Sequence, residues 1–134
     1  MAHTILVVDD DFQMRQFWTD VLTDQGYAVL AAANGTTGLS LIDQQPPALI
    51  IVDMLMPGMN GIEFCRTLRK ADATAAIPVI VCSGAQESTI EHECSYTAFF
   101  PKPFNLQQLL SAIGAYTASQ AHTADQPDLA VECR

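Results

Sequence analysis

The sequence has few basic residues. Six lysines and arginines stand against fifteen aspartates and glutamates, which gives a formal net charge of −9. A chain with this charge repels phosphate backbones, so direct binding to nucleic acid is not expected. Long apolar runs are also absent: the longest, residues 48–56, is interrupted by Asp53 and is much shorter than the roughly 20 residues of a membrane helix. With no signal-peptide pattern at the N-terminus, we expect a cytoplasmic chain that does not contact a membrane.

Cysteine patterns typical of metal sites are missing as well. The four cysteines form no C-x-x-C pair and have no histidine at metal-ligand spacing, so we interpret them as reduced thiols. The length of 134 residues, with 49% hydrophobic and 16% charged residues, is typical of one globular domain. We expect this domain to span residues 1–118. The polar residues 119–134 are expected to form a flexible C-terminal tail.

Short apolar runs alternate with segments of helical spacing. Four runs are continuous rather than alternating, at residues 5–8, 49–52, 79–82 and 98–100, and a weaker run covers residues 27–32. Continuous runs are typical of parallel strands that are buried on both faces. Between and after them, apolar side chains with helical spacing predict helices. Met14, Phe17, Trp18, Val21 and Leu22 fall on one face of a predicted helix that stops at Gly26. Leu109 and Ile113 follow Asn105, a candidate cap of the last helix. Strands that alternate with helices predict an α/β fold with a mostly parallel sheet covered on both faces.

Polar residues follow directly on several of these runs. Asp9, Asp10 and Asp11 follow the first, Asp53 follows residues 49–52, Ser83 follows residues 79–82, and Lys102 comes just after residues 98–100. Ligands of open α/β sheets bind outside the carboxyl ends of the strands. The pattern therefore places acids, a hydroxyl and an ammonium group at one edge of one sheet.

These side chains suit one chemistry together. Two carboxylates within a few ångströms repel each other, so either a pKa rises or a cation binds. Mg²⁺ prefers such oxygen ligands and also coordinates phosphate. Asp53 could then act as a nucleophile toward a phosphoryl group, with Lys102 and Ser83 contacting its oxygens. Taken singly, each residue has an ordinary interpretation: the acids as a helix cap, Asp53 as a turn residue, and Ser83 and Lys102 as loop residues. The joint pattern favours a site.

Four segments carry a resemblance to a known family. Residues 5–10 (ILVVDD), 52–61 (VDMLMPGMNG), 79–84 (VIVCSG) and 101–104 (PKPF) resemble the signature segments of response-regulator receiver domains, the CheY-like modules of two-component signalling. The resemblance covers about residues 4–118. It implies a flavodoxin-like (βα)5 three-layer sandwich, with a parallel five-stranded sheet of order 2-1-3-4-5.

The resemblance also implies roles for individual residues. Asp53 would accept a phosphoryl group from a sensor histidine kinase or a histidine phosphotransfer protein. Asp10 would bind Mg²⁺ directly and Asp9 through water, together with Asp53 and the backbone carbonyl of Leu55. Ser83 and Lys102 would contact the phosphoryl group, with a cis peptide expected before Pro103. Ser83 and Phe99 would form the switch that alters contacts with a downstream protein target. A phosphorylation-dependent dimer is a further candidate assembly.

Some positions depart from the family pattern. Leu55 and Ala85 are apolar at two positions that help to set the lifetime of the phosphoryl group in the family, so we hypothesise slow self-dephosphorylation. The segment between Ser83 and Lys102 is shorter than is typical of the family, and residues 86–93 have little apolar periodicity, so the helix expected there is not expected to be regular or full length.

Other functions fit parts of the sequence. A pseudo-receiver would serve as an interaction module that never carries phosphate, and the chain could equally be the receiver segment of a larger regulator or hybrid kinase. A haloacid-dehalogenase-type phosphohydrolase would need an acid two residues after the nucleophile, where this chain has Leu55. A flavodoxin-like electron carrier would need a Ser/Thr- and Gly-rich loop where this chain has three aspartates. We therefore expect a signalling module without turnover of a separate substrate.

Overall fold

The structure, a computed structural model, describes residues 3–53, 58–59, 61–84 and 96–125, with the side chains of the last helix described as far as residue 118. Within these ranges the chain forms five strands and four helices. In chain order they are β1 (Thr4–Val8), α1 (Phe12–Asp24), β2 (Ala28–Ala32), α2 (Gly35–Gln44), β3 (Leu49–Asp53), α3 (Gly61–Lys70), β4 (Val79–Ser83), β5 (Ala98–Pro101) and α4 (Leu106–Asp125). The segment for which no regular helix was expected, residues 85–95, lies outside the described residues.

The five strands form one parallel sheet in the order β2-β1-β3-β4-β5. This confirms the flavodoxin-like order that the sequence resemblance implied. Every residue of β1 from Ile5 onward, and all of β4, is buried. The continuous apolar runs are therefore explained by strands that are covered on both faces. By contrast, most residues of β2 are partly or fully exposed, because this strand lies at an edge of the sheet.

Side chains of each strand alternate between the two faces of the sheet. On one face, Leu6 and Val8 of β1 join a buried cluster with Phe64 and Leu68 of α3 and Ile42 of α2. The alternate β1 positions point to the opposite face of the sheet, and α1 contributes its own buried residues outside that cluster.

The buried stripe of α1 is narrower than the sequence pattern predicts. Trp18 and Leu22 are buried, but Phe17, which shares their apolar spacing, is 37% exposed. The helix packs mainly against β2, and an edge strand offers a narrow surface. Only the pair with i, i+4 spacing is therefore fully covered.

Local sequence signals fix the ends of the first two helices. The side chain of Asp11 accepts a hydrogen bond from the backbone N–H of Gln13 at 2.9 Å and so caps the start of α1. After this helix, Gly26 adopts a φ of 94°, a conformation that side chains with a Cβ rarely adopt. Helix α2 ends at Gln44, just before Pro46 and Pro47, which cannot donate the hydrogen bonds that a longer helix would need.

Residues 1–103 and 104–134 form two compact units, and the second contains α4. Asn105 caps this helix, because its Oδ1 accepts a hydrogen bond from the Gln108 N–H at 3.0 Å. Leu109 and Ile113 are fully buried, as their helical spacing predicts. The helix continues to Asp125, and the domain boundary at residue 118 remains a prediction. Among the described helices, none combines the length and apolar character needed to cross a membrane.

Candidate functional site

The carboxyl ends of β1 and β3 bring three acidic residues together. Val8 pairs with Val52 in the sheet, so the next residues, Asp9 and Asp53, leave neighbouring strands at the same level. Together with Asp10, they offer carboxylate oxygens that all lie within 4.8 Å of one another. Asp9 is buried, Asp53 is half-buried and Asp10 is exposed. The structure therefore brings together three of the acids that the sequence pattern assigned to one edge of the sheet.

Asp9 is held in place by hydrogen bonds from several directions. Its backbone N–H donates to the Ala32 carbonyl at 3.1 Å. Its own carbonyl accepts from Nη1 of Arg15 at 2.8 Å, and its Oδ1 accepts from the Asp11 N–H at 2.9 Å. Sequence reasoning missed Arg15, because a basic residue in the first turns of a helix has no distinctive spacing. Asp11 proves to be the helix cap rather than a member of the cluster.

The environment of Asp9 disfavours its charge. Burial raises the pKa of the Asp9 carboxyl above its ordinary value, and the charges of Asp53 and Asp10 add to this effect. The Asp11 N–H and the ammonium of Lys102 lower the pKa but do not cancel the rise. A buried carboxylate among other carboxylates is a site that gains from a bound cation.

Lys102 supplies a positive charge opposite the acids. Its Nζ lies 3.4 Å from Oδ2 of Asp53 and 3.9 Å from Oδ2 of Asp9. The residue follows β5, and its N–H donates to the Ser83 carbonyl at 2.9 Å. The peptide bond between Lys102 and Pro103 is cis, as the resemblance led us to expect. The side chain of Lys102 is 30% exposed.

The end of β4 lies beside Asp53 on the side away from Asp9. Asp53 pairs with Cys82 in the sheet, so the fully buried Ser83 comes one residue beyond the acid. Burial raises the pKa of the Cys82 thiol to about 12, although the nearby Lys102 charge favours the thiolate. The Cys82 thiol, next to Asp53 in the sheet, is therefore uncharged at neutral pH.

Phe99, the predicted switch residue, lies on β5, the strand next to β4. It pairs with Val81 in the sheet, and its partly buried side chain packs against the hydrophobic cluster that contains Val81. The rings of Phe99 and Tyr96 have centroids 6.2 Å apart. Phe99 thus packs on the apolar cluster, and its strand pairs with β4, the strand that ends at Ser83. Leu55, the remaining predicted ligand, lies outside the described residues.

The donor set fits a hard divalent cation. Carboxylate oxygens are the ligands that Mg²⁺ prefers, and Mg²⁺ sites in proteins commonly use one or two carboxylates and keep several waters. The exposed Asp10 leaves the cluster accessible from solvent. No histidine or cysteine is part of the described cluster, which disfavours Zn²⁺.

Comparison with known proteins agrees with this geometry. The family model for the response regulator receiver domain matches residues 5–114. Sporulation initiation phosphotransferase F of Bacillus subtilis is 30% identical over 87% of this chain and 94% of its own length. The DNA-binding response regulator MtrA of Mycolicibacterium paratuberculosis is 32% identical over 86% of this chain, which spans about half (51%) of that relative.

Solved structures show the same fold. The chemotaxis protein CheY4 of Vibrio cholerae, crystallised at low pH, superimposes with a TM-score of 0.80 and 29% sequence identity, covering 85% of this chain and 98% of that structure. The five-stranded sheet with the acidic cluster at its carboxyl edge, and a family model that matches most of the sequence, lead to one conclusion: the chain belongs to the response regulator receiver domain family.

Proposed function

We propose that Asp53 is the phosphoacceptor of this receiver domain and takes a phosphoryl group from a sensor histidine kinase or a histidine phosphotransfer protein. The observation that carries the proposal is the position of Asp53 between two acids on one side and Lys102 on the other, 3.4 Å from its ammonium group. This arrangement gives a carboxylate nucleophile together with the charges that a phosphoryl group requires.

The residues present can support the transfer. An oxygen of the Asp53 carboxylate forms the new bond to phosphorus as the bond from phosphorus to the donor's imidazole nitrogen breaks, and the imidazole leaves. Lys102 pairs with the charge of the transferred group, since its ammonium group already lies within ion-pair distance of Asp53. Ser83 then donates a hydrogen bond to a phosphoryl oxygen, and β4 passes this change on to Phe99.

Asp9, Asp10 and Asp53, with the backbone carbonyl of Leu55, are the groups that would hold Mg²⁺, Asp10 directly and Asp9 through water. When bound, Mg²⁺ neutralises carboxylate charge and coordinates a phosphoryl oxygen. The raised pKa of Asp9 comes first from burial and then from the charges of Asp53 and Asp10. It supports this assignment, because a cation beside the carboxylate would stabilise its charged form. Arg15 and the Asp11 N–H hold Asp9 by hydrogen bonds to its backbone carbonyl and to its Oδ1.

The output of such a domain is a change in protein contacts rather than turnover of a separate substrate. We propose a downstream protein target, with phosphorylation-dependent dimerisation as one form of it, and a domain of residues 1–118 acting in the cytoplasm. MtrA contains about as much chain again as the part matched here. A second candidate is therefore the receiver segment of a larger regulator or hybrid kinase, with the same chemistry at Asp53.

Phosphorylation by a small-molecule donor tests the proposal. Incubation with acetyl phosphate and Mg²⁺ is expected to add one phosphoryl group, measured by intact mass, and Asp53→Asn is expected to abolish the addition. Asp43→Asn is the matched control, because Asp43 is an exposed residue of α2 outside the acidic cluster. If wild type gains no mass and binds no beryllofluoride, the chain is a pseudo-receiver and the proposal fails.

A further inference from the structure

Arg15 of α1 reaches back to the loop that carries two of the acids. Its Nη1 donates a hydrogen bond to the backbone carbonyl of Asp9 at 2.8 Å. Its own backbone N–H donates to the Asp11 carbonyl at 3.0 Å, so Arg15 is bonded to both ends of residues 9–11. The residue is half-buried, and a hydrogen bond from a charged donor is stronger where it is partly shielded from water. This bond therefore ties the chain after β1 to the beginning of α1.

The carbonyl that Arg15 holds belongs to the peptide unit between Asp9 and Asp10. A peptide unit is planar, so a contact with its oxygen restricts the whole plane, including the N–H of Asp10. Asp10 is exposed, and an exposed side chain takes its position from the backbone beneath it more than from neighbouring side chains. The direction in which the Asp10 carboxylate leaves the chain therefore depends on this peptide unit.

The guanidinium group of Arg15 is itself placed by an aromatic ring. Its central carbon lies 5.7 Å from the centroid of the Phe12 ring, which is within the range of a cation–π contact. The two residues are neighbours on one face of α1, because their spacing is i, i+3. This contact limits the positions of a long side chain, so less conformational entropy is lost when Arg15 bonds the Asp9 carbonyl.

We infer that Arg15 is a positioning residue for the metal site, which sets the place of the Asp10 carboxylate by holding the Asp9 carbonyl. The inference rests on the proposed function, in which Asp10 is the direct ligand of Mg²⁺ and Asp53 accepts the phosphoryl group. Arg15 acts through a backbone oxygen rather than through its charge. The charges that shift the pKa of Asp9 belong to Asp53, Lys102 and Asp10.

Two substitutions of Arg15 distinguish positioning from charge. Arg15→Met removes the donor and the charge but keeps a long side chain with good helix propensity. It is expected to weaken Mg²⁺ binding about tenfold, measured by calorimetry, as the loss of groups that support metal ligands commonly does. A role of the charge alone predicts the opposite sign, because removing a cation near carboxylates strengthens their attraction for Mg²⁺. Arg15→Lys keeps the charge and one donor, so its affinity should lie between those of wild type and Arg15→Met.

Arg69→Met is the matched control. Arg69 of α3 also holds backbone carbonyls, since its Nη1 lies 2.8 Å from the oxygen of Ile77 and 3.0 Å from that of Ala75. These carbonyls precede β4 and so lie at the amino end of that strand, opposite to the end where the acids meet. The variant removes an equal charge and should lower the melting temperature without changing the affinity for Mg²⁺.

A metal-free measurement tests the same inference. In EDTA, the ¹⁵N order parameter of the Asp10 N–H should fall below the roughly 0.85 of rigid backbone in Arg15→Met and stay unchanged in Arg69→Met. If Arg15→Met does not fold, Arg15→Lys provides both readouts. Wild-type or tighter Mg²⁺ binding in Arg15→Met would overturn the inference, and so would an equal loss in Arg69→Met. A wild-type protein that binds no Mg²⁺ would instead overturn the proposed metal ligands, while the order parameter would still test the positioning.

Discussion

The ammonium group of Lys102 lies 3.4 Å from the Asp53 carboxylate, and the same group lies 3.9 Å from that of Asp9. One cation thus neutralises part of an acidic cluster that also includes Asp10. Lys102 and a divalent cation compete for the same negative charge. This competition has a consequence that a substitution can measure.

Lys102→Met is expected to bind Mg²⁺ more tightly and to accept phosphate more slowly. Two unit charges about 4 Å apart interact by about 1 kcal/mol in water, which corresponds to about fivefold in affinity. The phosphoryl group, however, loses the cation that pairs with its oxygens, so the rate with acetyl phosphate should fall by about tenfold or more. Calorimetry with Mg²⁺ and intact-mass kinetics measure the two effects.

Lys102→Arg is the control, since it keeps the charge while changing the shape of the donor group. It should leave Mg²⁺ affinity near that of wild type. Weaker Mg²⁺ binding in Lys102→Met would show that the lysine organises the acids rather than competing for them.

Asp9→Asn is expected to stabilise the metal-free protein at neutral pH. The pKa of Asp9 in the folded chain lies above its ordinary value of 3.8. Stability from this group is therefore fully present below pH 3.8 and is lost as the pH rises through the folded pKa. Without divalent cations at pH 7, the melting temperature should rise by roughly 3–5 °C for each kcal/mol recovered.

The gain should shrink toward acid pH and reverse in Mg²⁺, because wild type binds the ion and the variant does so poorly. Asp43→Asn, an exposed change outside the cluster, should show neither trend. A melting temperature for Asp9→Asn below that of wild type in EDTA at pH 7 would contradict this prediction.

Cys82 is expected to resist alkylation in the folded protein. Its pKa is raised to about 12 by burial, so almost no thiolate is present at pH 8. A Cys94→Ser/Cys133→Ser background leaves Cys65 and Cys82, both buried. In that background iodoacetamide should label neither thiol until urea unfolds the chain, as read by intact mass.

The same shift predicts lower stability in alkali. The unfolded thiol ionises near pH 9.0, so the stability contributed by Cys82 is present below that pH and is lost by about 1.4 kcal/mol per pH unit up to the folded pKa. Cys82→Ala should flatten this slope in urea titrations at pH 9 to 11. An unchanged slope would assign the alkaline loss to other groups.

Leu55→Asn is expected to shorten the lifetime of the phosphorylated state. The apolar side chain of Leu55 cannot hold an attacking water by a hydrogen bond, whereas an amide can. We expect about tenfold faster loss of the phosphoryl group in Mg²⁺, followed by intact mass after removal of the donor. Leu55→Met is the matched apolar control. Fast loss in wild type that Leu55→Asn does not change would reject slow self-dephosphorylation.

The fold was predictable from the sequence because its central strands are buried on both faces. The apolar runs at residues 5–8, 49–52 and 79–82 lie within β1, β3 and β4. Continuous runs indicate a parallel sheet that is covered on both faces, because the strands of an antiparallel sheet with one face in water alternate apolar and polar residues. Helix signals were equally local: the side chain of Asn105 caps the helix that follows it, and Gly26 acts through its positive φ. Phe17 was wrongly placed on the buried face because periodicity does not reveal how wide the opposing surface is.

The positions of the acids, Ser83 and Lys102 were predictable because each lies at the carboxyl end of a strand or just beyond it, and strand order determines which ends meet. The hydrogen bond from Arg15 was not. Arg15 acts through a backbone carbonyl, which accepts a hydrogen bond whatever the residue type.

The strand order also gives the site a direction. Strand β1 brings only anionic side chains to one flank of Asp53, whereas β4 and β5 bring a hydroxyl and an ammonium group to the other. A dianion on Asp53 therefore finds its hydrogen-bond donors on the β5 side of the sheet. We therefore expect a partner that reads the phosphorylated state to bind on the β5 side of the sheet, where Phe99 packs, rather than at β2.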